Sequence, residues 1–159
     1  MKIFSNNFLA DLTGKARTSE RLRQHCNVHQ SYKDPCQKLF NAIEPESYIR
    51  PHRHAAVSGD ELLIAVRGLM ALITFNHHGN VIKISRFGTE KNGCDLAVGC
   101  EVPSGLWHTV VALEVGSVLL EVKSGPFNPK DAKEHASWAP SETSEKASRY
   151  LQSLIDKCR

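Results

Sequence analysis

The stretch Tyr48-Ile49-Arg50-Pro51-His52-Arg53-His54, followed by Glu61 and Gly68, decides how this chain reads. Side chains alternate across an extended strand, so His52 and His54 face one side and Arg53 the other. Pro51 stiffens the approach by fixing its own φ. Two imidazoles on one face are part of a metal-ligand set. Glu61 opens the next apolar run, so a return strand brings a carboxylate beside them. His108 follows much later, after Pro103-Ser104-Gly105, where Gly105 permits a sharp turn that aims the next strand inward. Three neutral imidazoles and one carboxylate suit Fe(II), Zn(II), Ni(II), Mn(II) or Co(II), with positions left open for water or ligand. No cysteine joins the cluster, which argues against a closed structural zinc site.

Outward from this stretch the signals are β. Glu61 to Val66 reads as a short apolar strand ended by a turn at Arg67-Gly68. Leu69 to Phe75 and Val81 to Phe87 flank Asn76-His77-His78-Gly79-Asn80, a hairpin loop that leaves both its histidines exposed. Cys94 to Val102, Thr109 to Leu113 and Val118 to Lys123 continue the series, with Glu114-Val115-Gly116-Ser117 as a turn. Short strands at regular spacing, broken by glycine turns, argue for a mainly β sandwich or small barrel over 48–125. Residues 1–47 read as an N-terminal arm packing on it; Arg17 to Arg23 is either a short helix capped by Thr18 or Ser19, or extended. Residues 126–159 read as a proline-rich wrap (Pro126, Pro129, Pro140, with Trp138 between them) followed by a C-terminal helix. Ala147, Tyr150, Leu151, Leu154, Ile155 and Cys158 follow amphipathic spacing, with Ser144 as a cap, and their face docks on the barrel or on a second subunit.

The 159 residues, 41% hydrophobic, make one domain able to bury a core without disulfides. A net charge of +3 with no basic block excludes the charge pattern of a nucleic-acid binder. The five cysteines are scattered with no C-x-x-C pair, and no apolar run reaches signal-peptide or membrane-span length. These features predict a cytoplasmic protein with reduced thiols and no membrane partner.

His52-x-His54, Glu61, Gly68 and Pro103-x-Gly105-x-x-His108 resemble the two signature motifs of the cupin superfamily. That resemblance implies a double-stranded β-helix, a small jelly-roll barrel holding a metal. Six residues, Ala55 to Asp60, separate His54 from Glu61, more than in most cupins, so Asp60 is the alternative carboxylate. Asp34-Pro35-x-Gln37, Glu101-x-Pro103-x-Gly105-x-Trp107-His108-Thr109, Gly125-Pro126-Phe127 and Trp138-Ala139-Pro140 extend the likeness along most of the chain. Together they resemble the WbuC family of cupin fold metalloproteins, which implies a link to polysaccharide (O-antigen) biosynthesis. The cupin likeness implies a homodimer.

Around the metal ligands, three residues are candidates for proton transfer. Glu101 stands at the barrel mouth, as an acid/base group or in a salt bridge. Tyr48 shares the histidine face, as a donor to a ligand or as packing. His29, with Arg21 and Arg23, either reaches the pocket or lies on a solvated arm; His135, in a charged run, reads as solvated, and Trp107 as core. The site then serves a metal-dependent isomerase, lyase or oxygenase acting on a small polar or sugar-like molecule. The alternatives are a non-catalytic metal-dependent binding or sensing module, and a metal-free epimerase-like cupin in which a histidine is the base.

Overall fold

The computed structural model describes residues 1–54, 59–128 and 133–159. Among the described residues, ten strands form two antiparallel sheets facing each other. The strands are β1 (Arg23–Asn27), β2 (Cys36–Ile43), β3 (His52–Arg53), β4 (Glu61–Arg67), β5 (Leu69–Phe75), β6 (Val81–Gly88), β7 (Gly99–Val102), β8 (Trp107–Ala112), β9 (Ser117–Ser124) and β10 (Glu134–His135). One sheet runs β1-β2-β9-β4-β7 and the other β10-β3-β8-β5-β6. Gly68 makes the switch from the first sheet to the second. Its φ is +76°, and a Cβ there would meet the Ser117 side chain, so both backbone and space demand glycine.

The inner faces bury Leu63, Met70, Leu72, Phe87, Val110 and Leu119 as one core. A second core lies behind the β3-β8-β5 surface. There α2 (Ala147–Asp156) packs Leu151 and Leu154 against Ile73, Phe75, Trp107 and Val111. The helix therefore docks on its own barrel. Ser144 lies too early to cap it; its hydroxyl accepts from Lys146 N–H, and Lys146 is the cap residue.

The N-terminal reading needs correction. A 13-residue helix, α1 (Asn6–Thr18), precedes the segment 17–23 that the sequence reads as helical or extended; only Arg17 and Thr18 belong to the helix, 19–22 turn the chain, and Arg23 opens β1. Ser5 caps it, accepting from Phe8 N–H at 3.3 Å. Its stripe of Phe8, Leu9, Leu12 and Ala16 covers Phe40, Ala42 and Val118 on the outer side of β2 and β9. Glycine and threonine in α1 make its intrinsic preference weak, so the helix is held by this packing. Residues 36–43, assigned to the arm, form an inner strand between β1 and β9. The wrap is ordered at Trp138, whose ring lies 5.0 Å from that of Phe75 and 6.1 Å from Trp107. Pro129, and residues 55–58 of the long insertion, lie outside the described residues. Among the described residues no helix is long and apolar enough to cross a membrane.

Candidate metal centre

The site is assembled from both sheets at one end of the barrel. His52 on β3 and His108 on β8 are register partners, and their rings lie 4.6 Å apart. His54 follows β3, with its ring 5.2 Å from His52 and 5.6 Å from His108. All three are buried, and one nitrogen from each falls within 4.8 Å of the others. Arg53 points outward as expected, with its guanidinium 4.6 Å over Trp107 and 2.7 Å from Glu134.

Two carbonyls fix the tautomers. His52 Nδ1 donates to Arg50 O at 3.0 Å, and His108 Nδ1 donates to Leu106 O at 2.9 Å. Each proton is thereby placed on Nδ1, and the Nε2 lone pair is left facing inward, as a metal ligand requires. Burial, Lys133 and His108 keep His52 well below the usual imidazole range, so it is neutral and ready to ligate.

Glu61 comes from the opposite sheet. Its Oε2 lies 3.4 Å from His54 Nε2 and 3.5 Å from His108 Nε2. A lone pair on His108 facing a carboxylate oxygen is acceptor against acceptor, and a cation between them resolves it. The donor set therefore fits a divalent transition metal held by His52, His54 and His108, with Glu61 beside it. Burial acts to raise the Glu61 carboxyl, and the Lys123 ammonium 3.4 Å away acts to lower it. Asp60 is elsewhere: its Oδ1 accepts from Ser104 N–H at 2.9 Å. Gly105, at φ +78°, donates its N–H to His54 O at 2.9 Å. Both ends of the long insertion are thus anchored to the Pro103–Gly105 turn, which is how Glu61 reaches the histidines despite the added residues.

Three further charged groups escaped the sequence reading. Glu121 and Lys123 on β9 point inward, and Lys123 stands opposite Glu61 in register. Its ammonium lies 3.4 Å from Glu61 Oε1 and 2.5 Å from Glu121 Oε1. Burial and the Glu61 charge push the Glu121 carboxyl up, while the two carboxylates, against burial, raise Lys123. Two charges at alternate positions of an otherwise apolar strand were the available signal. Lys133 lines the same interior, and nothing in its charged run marks it out.

The expected proton-transfer residues fare differently. Glu101 is exposed opposite the exposed Leu62, on the outer face of β7, so it is not at the site. Tyr48 is buried and donates to Pro140 O at 2.9 Å beside Tyr150, which makes it a packing residue. His29 is buried in the wall of the cavity that leads to the metal ligands. His77 and His78 are exposed in their turn. His135, expected to be solvated, is exposed at the rim of that cavity, paired with His52.

The cavity encloses about 580 Å³ and has His52, Glu121, Lys123 and Lys133 in its lining. A smaller chamber of about 40 Å³, bounded by His52, Glu61 and His108, continues it inward.

Residues 4–87, more than half of the chain, match the family model described as a domain of unknown function, DUF6016. The chain belongs to the DUF6016 family. No curated protein matches it. Among solved structures, protein SO0799 from Shewanella oneidensis is similar with a TM-score of 0.58 at 13% identity, covering 84% of each chain. KdgF from a Halomonas species is similar with a TM-score of 0.51 at 17% identity, covering 71% of this chain and 87% of that one. Oxalate decarboxylase from Bacillus subtilis gives a TM-score of 0.51 at 19% identity, covering 71% of this chain and 27% of the enzyme. This DUF6016 chain thus has the cupin fold.

Proposed function

We infer that this protein is a metal-dependent cupin enzyme acting on a small, oxygen-rich molecule that enters through the 580 Å³ cavity. The observation that carries the reading is the pair of Nδ1-to-carbonyl bonds at His52 and His108, which hold two Nε2 lone pairs toward His54 and Glu61. A divalent metal bound there would supply Lewis-acid chemistry toward a substrate oxygen. His52, His54, Glu61 and His108 are the residues that would hold it. Glu121 and Lys123 set the position of the Glu61 carboxylate, and Lys123 is the cation closest to it among the described residues. The WbuC resemblance supports a sugar-like substrate linked to polysaccharide biosynthesis. A homodimer and a cytoplasmic location complete the proposal.

Elemental analysis of the purified protein, paired with NMR of a panel of polyhydroxy and carboxylate compounds with and without chelator, tests it. The expected result is one divalent metal per chain and turnover that chelation abolishes. Equal metal content in the parent and in His52→Ala and His108→Ala overturns the site. Tight binding with no turnover across the panel leaves the alternative, a metal-dependent binding or sensing module.

A further inference from the structure

The outer cavity carries a donor that no protein group uses. His29 is 8% exposed and its Nε2 has no hydrogen-bond partner. Its Nδ1 lies 3.1 Å from Lys38 N and 2.9 Å from Lys38 O. That carbonyl already accepts from Val28 N–H at 2.8 Å and from His29 N–H at 3.3 Å, which fills both its lone pairs, whereas the Lys38 N–H needs an acceptor. Nδ1 is therefore the acceptor, and the ring proton sits on Nε2, as a buried donor in the cavity wall.

The cations around the cavity divide into two groups. Arg23 holds Glu142 at 2.6 and 2.7 Å, Arg50 holds Ala136 O at 2.6 and 3.1 Å, and Lys123 holds Glu121 and Glu61. Lys133 and Arg21 also line the cavity, and among the described residues neither has a carboxylate within ion-pair distance. Lys133 lines both the cavity and the inner chamber; the residue as a whole is exposed, while the protein packed around its ammonium draws that group below the usual lysine range. His25 and His135 on the rim are likewise lowered, by burial first, with Arg21 and Lys133 adding to His25 and Arg50 and Lys133 to His135. The cavity thus presents a buried neutral donor and two cations, Lys133 and Arg21, outside ion-pair distance of every described carboxylate, with Glu121 and Glu61 acting on Lys133 from further away. Its volume of about 580 Å³ lies within the range of small-molecule sites, roughly 300–1,000 Å³.

We propose that this cavity binds the anionic end of the substrate, a carboxylate or phosphate on a polyhydroxy molecule, through His29 Nε2–H and the Lys133 ammonium while the other end reaches the metal centre. The contact with the metal centre rests on the metal-binding reading above; the anion contact with His29 and Lys133 does not. Arg21 at the rim adds long-range attraction for the same charge. A neutral sugar of equal size leaves Lys133 without its counter-charge and binds more weakly.

The test is calorimetric titration of the full-length protein, metal-loaded and after chelation, with gluconate, glucose 6-phosphate and glucose. The expected result is that at least one of the two anions binds about tenfold or more tighter than glucose, and that Lys133→Gln and His29→Leu each remove that preference while melting temperature and metal content stay near the parent's. The anion that binds tighter identifies carboxylate or phosphate. Should His29→Leu fail to fold, Lys133→Gln, at a solvent-exposed residue, decides alone. Equal affinity for all three compounds in the parent, or retention of the preference by Lys133→Gln, overturns the proposal. A parent that binds no metal but still prefers an anion after chelation overturns the metal centre and leaves this subsite standing.

Discussion

His52 and His108 face each other across β3 and β8, and each gives its Nδ1 proton to the carbonyl two residues before it. The same local device, used on two neighbouring strands, leaves both Nε2 lone pairs directed at one point. His54 and Glu61 close on that point from the end of β3 and from the facing sheet.

The ligand set gives the first prediction. His52→Ala, His54→Ala and His108→Ala each lose stoichiometric metal by elemental analysis. Glu61→Gln keeps the shape but removes the charge, and its metal affinity falls by about 10–100-fold. Unchanged affinity in Glu61→Gln would show that the carboxylate only borders the site.

Lys123 separates two buried carboxylates. Its side chain is 11% exposed and contacts both Glu61 and Glu121. Lys123→Met leaves like charges facing each other, at a cost of about 3 kcal/mol. For a chain of this size that lowers the melting temperature by roughly 6–12 °C. Adding Glu121→Gln to Lys123→Met recovers part of the loss; a double variant no more stable than the single one refutes the pairing.

Stability of the metal-free protein falls with acid in a defined window. His52 is held below its ordinary value of 6.5, chiefly by burial. Between that value and the lower folded one, the unfolded chain binds a proton that the folded chain does not. Unfolding free energy therefore rises with pH across this window, is complete above about pH 6.5, and is lost as the pH drops below it. Denaturant titrations of chelated protein from neutral to acid pH measure the slope. His52→Asn makes it shallower; an unchanged slope refutes the assignment to His52.

The C-terminal helix seals the rear of the β3-β8-β5 surface. Leu151 is 4% exposed in the core with Phe75, Trp107 and Val111. Leu151→Ala costs about 2–4 kcal/mol in denaturant unfolding and leaves metal content unchanged. Loss of metal with intact stability would contradict this division of roles.

Glu101 and Tyr48 lie outside the chemistry. Glu101→Gln alters stability by no more than about 0.5 kcal/mol and leaves metal and ligand binding at parental levels. Tyr48→Phe loses its bond to Pro140 O, about 1 kcal/mol, with ligand affinity unchanged. A marked drop in ligand affinity in either variant returns that residue to the site.

Much of the β architecture is legible in the chain. Leu69 to Phe75 was predicted with the observed limits, and Val81 to Phe87 to within one residue, because β-branched and apolar runs flank an unmistakable turn. The histidine pair is legible because alternation along a strand is a local rule. The helix α1 was not, since its narrow stripe gains stability only against Phe40 and Val118. Glu121 and Lys123 were not, because a charged pair in an apolar strand looks solvent-facing until the opposite sheet is in place.

By itself the sequence determined the ligand types, the shared face of His52 and His54, and the glycine turns that let Glu61 and His108 return. Those properties follow from side-chain chemistry and backbone sterics over a few residues. Only the tertiary structure decided that Glu61 rather than Asp60 meets the histidines, that Glu101 faces outward, and that His29 stands as a buried donor in the cavity wall. Each depends on which strands pair and in what register, and that is set by packing between residues distant along the chain.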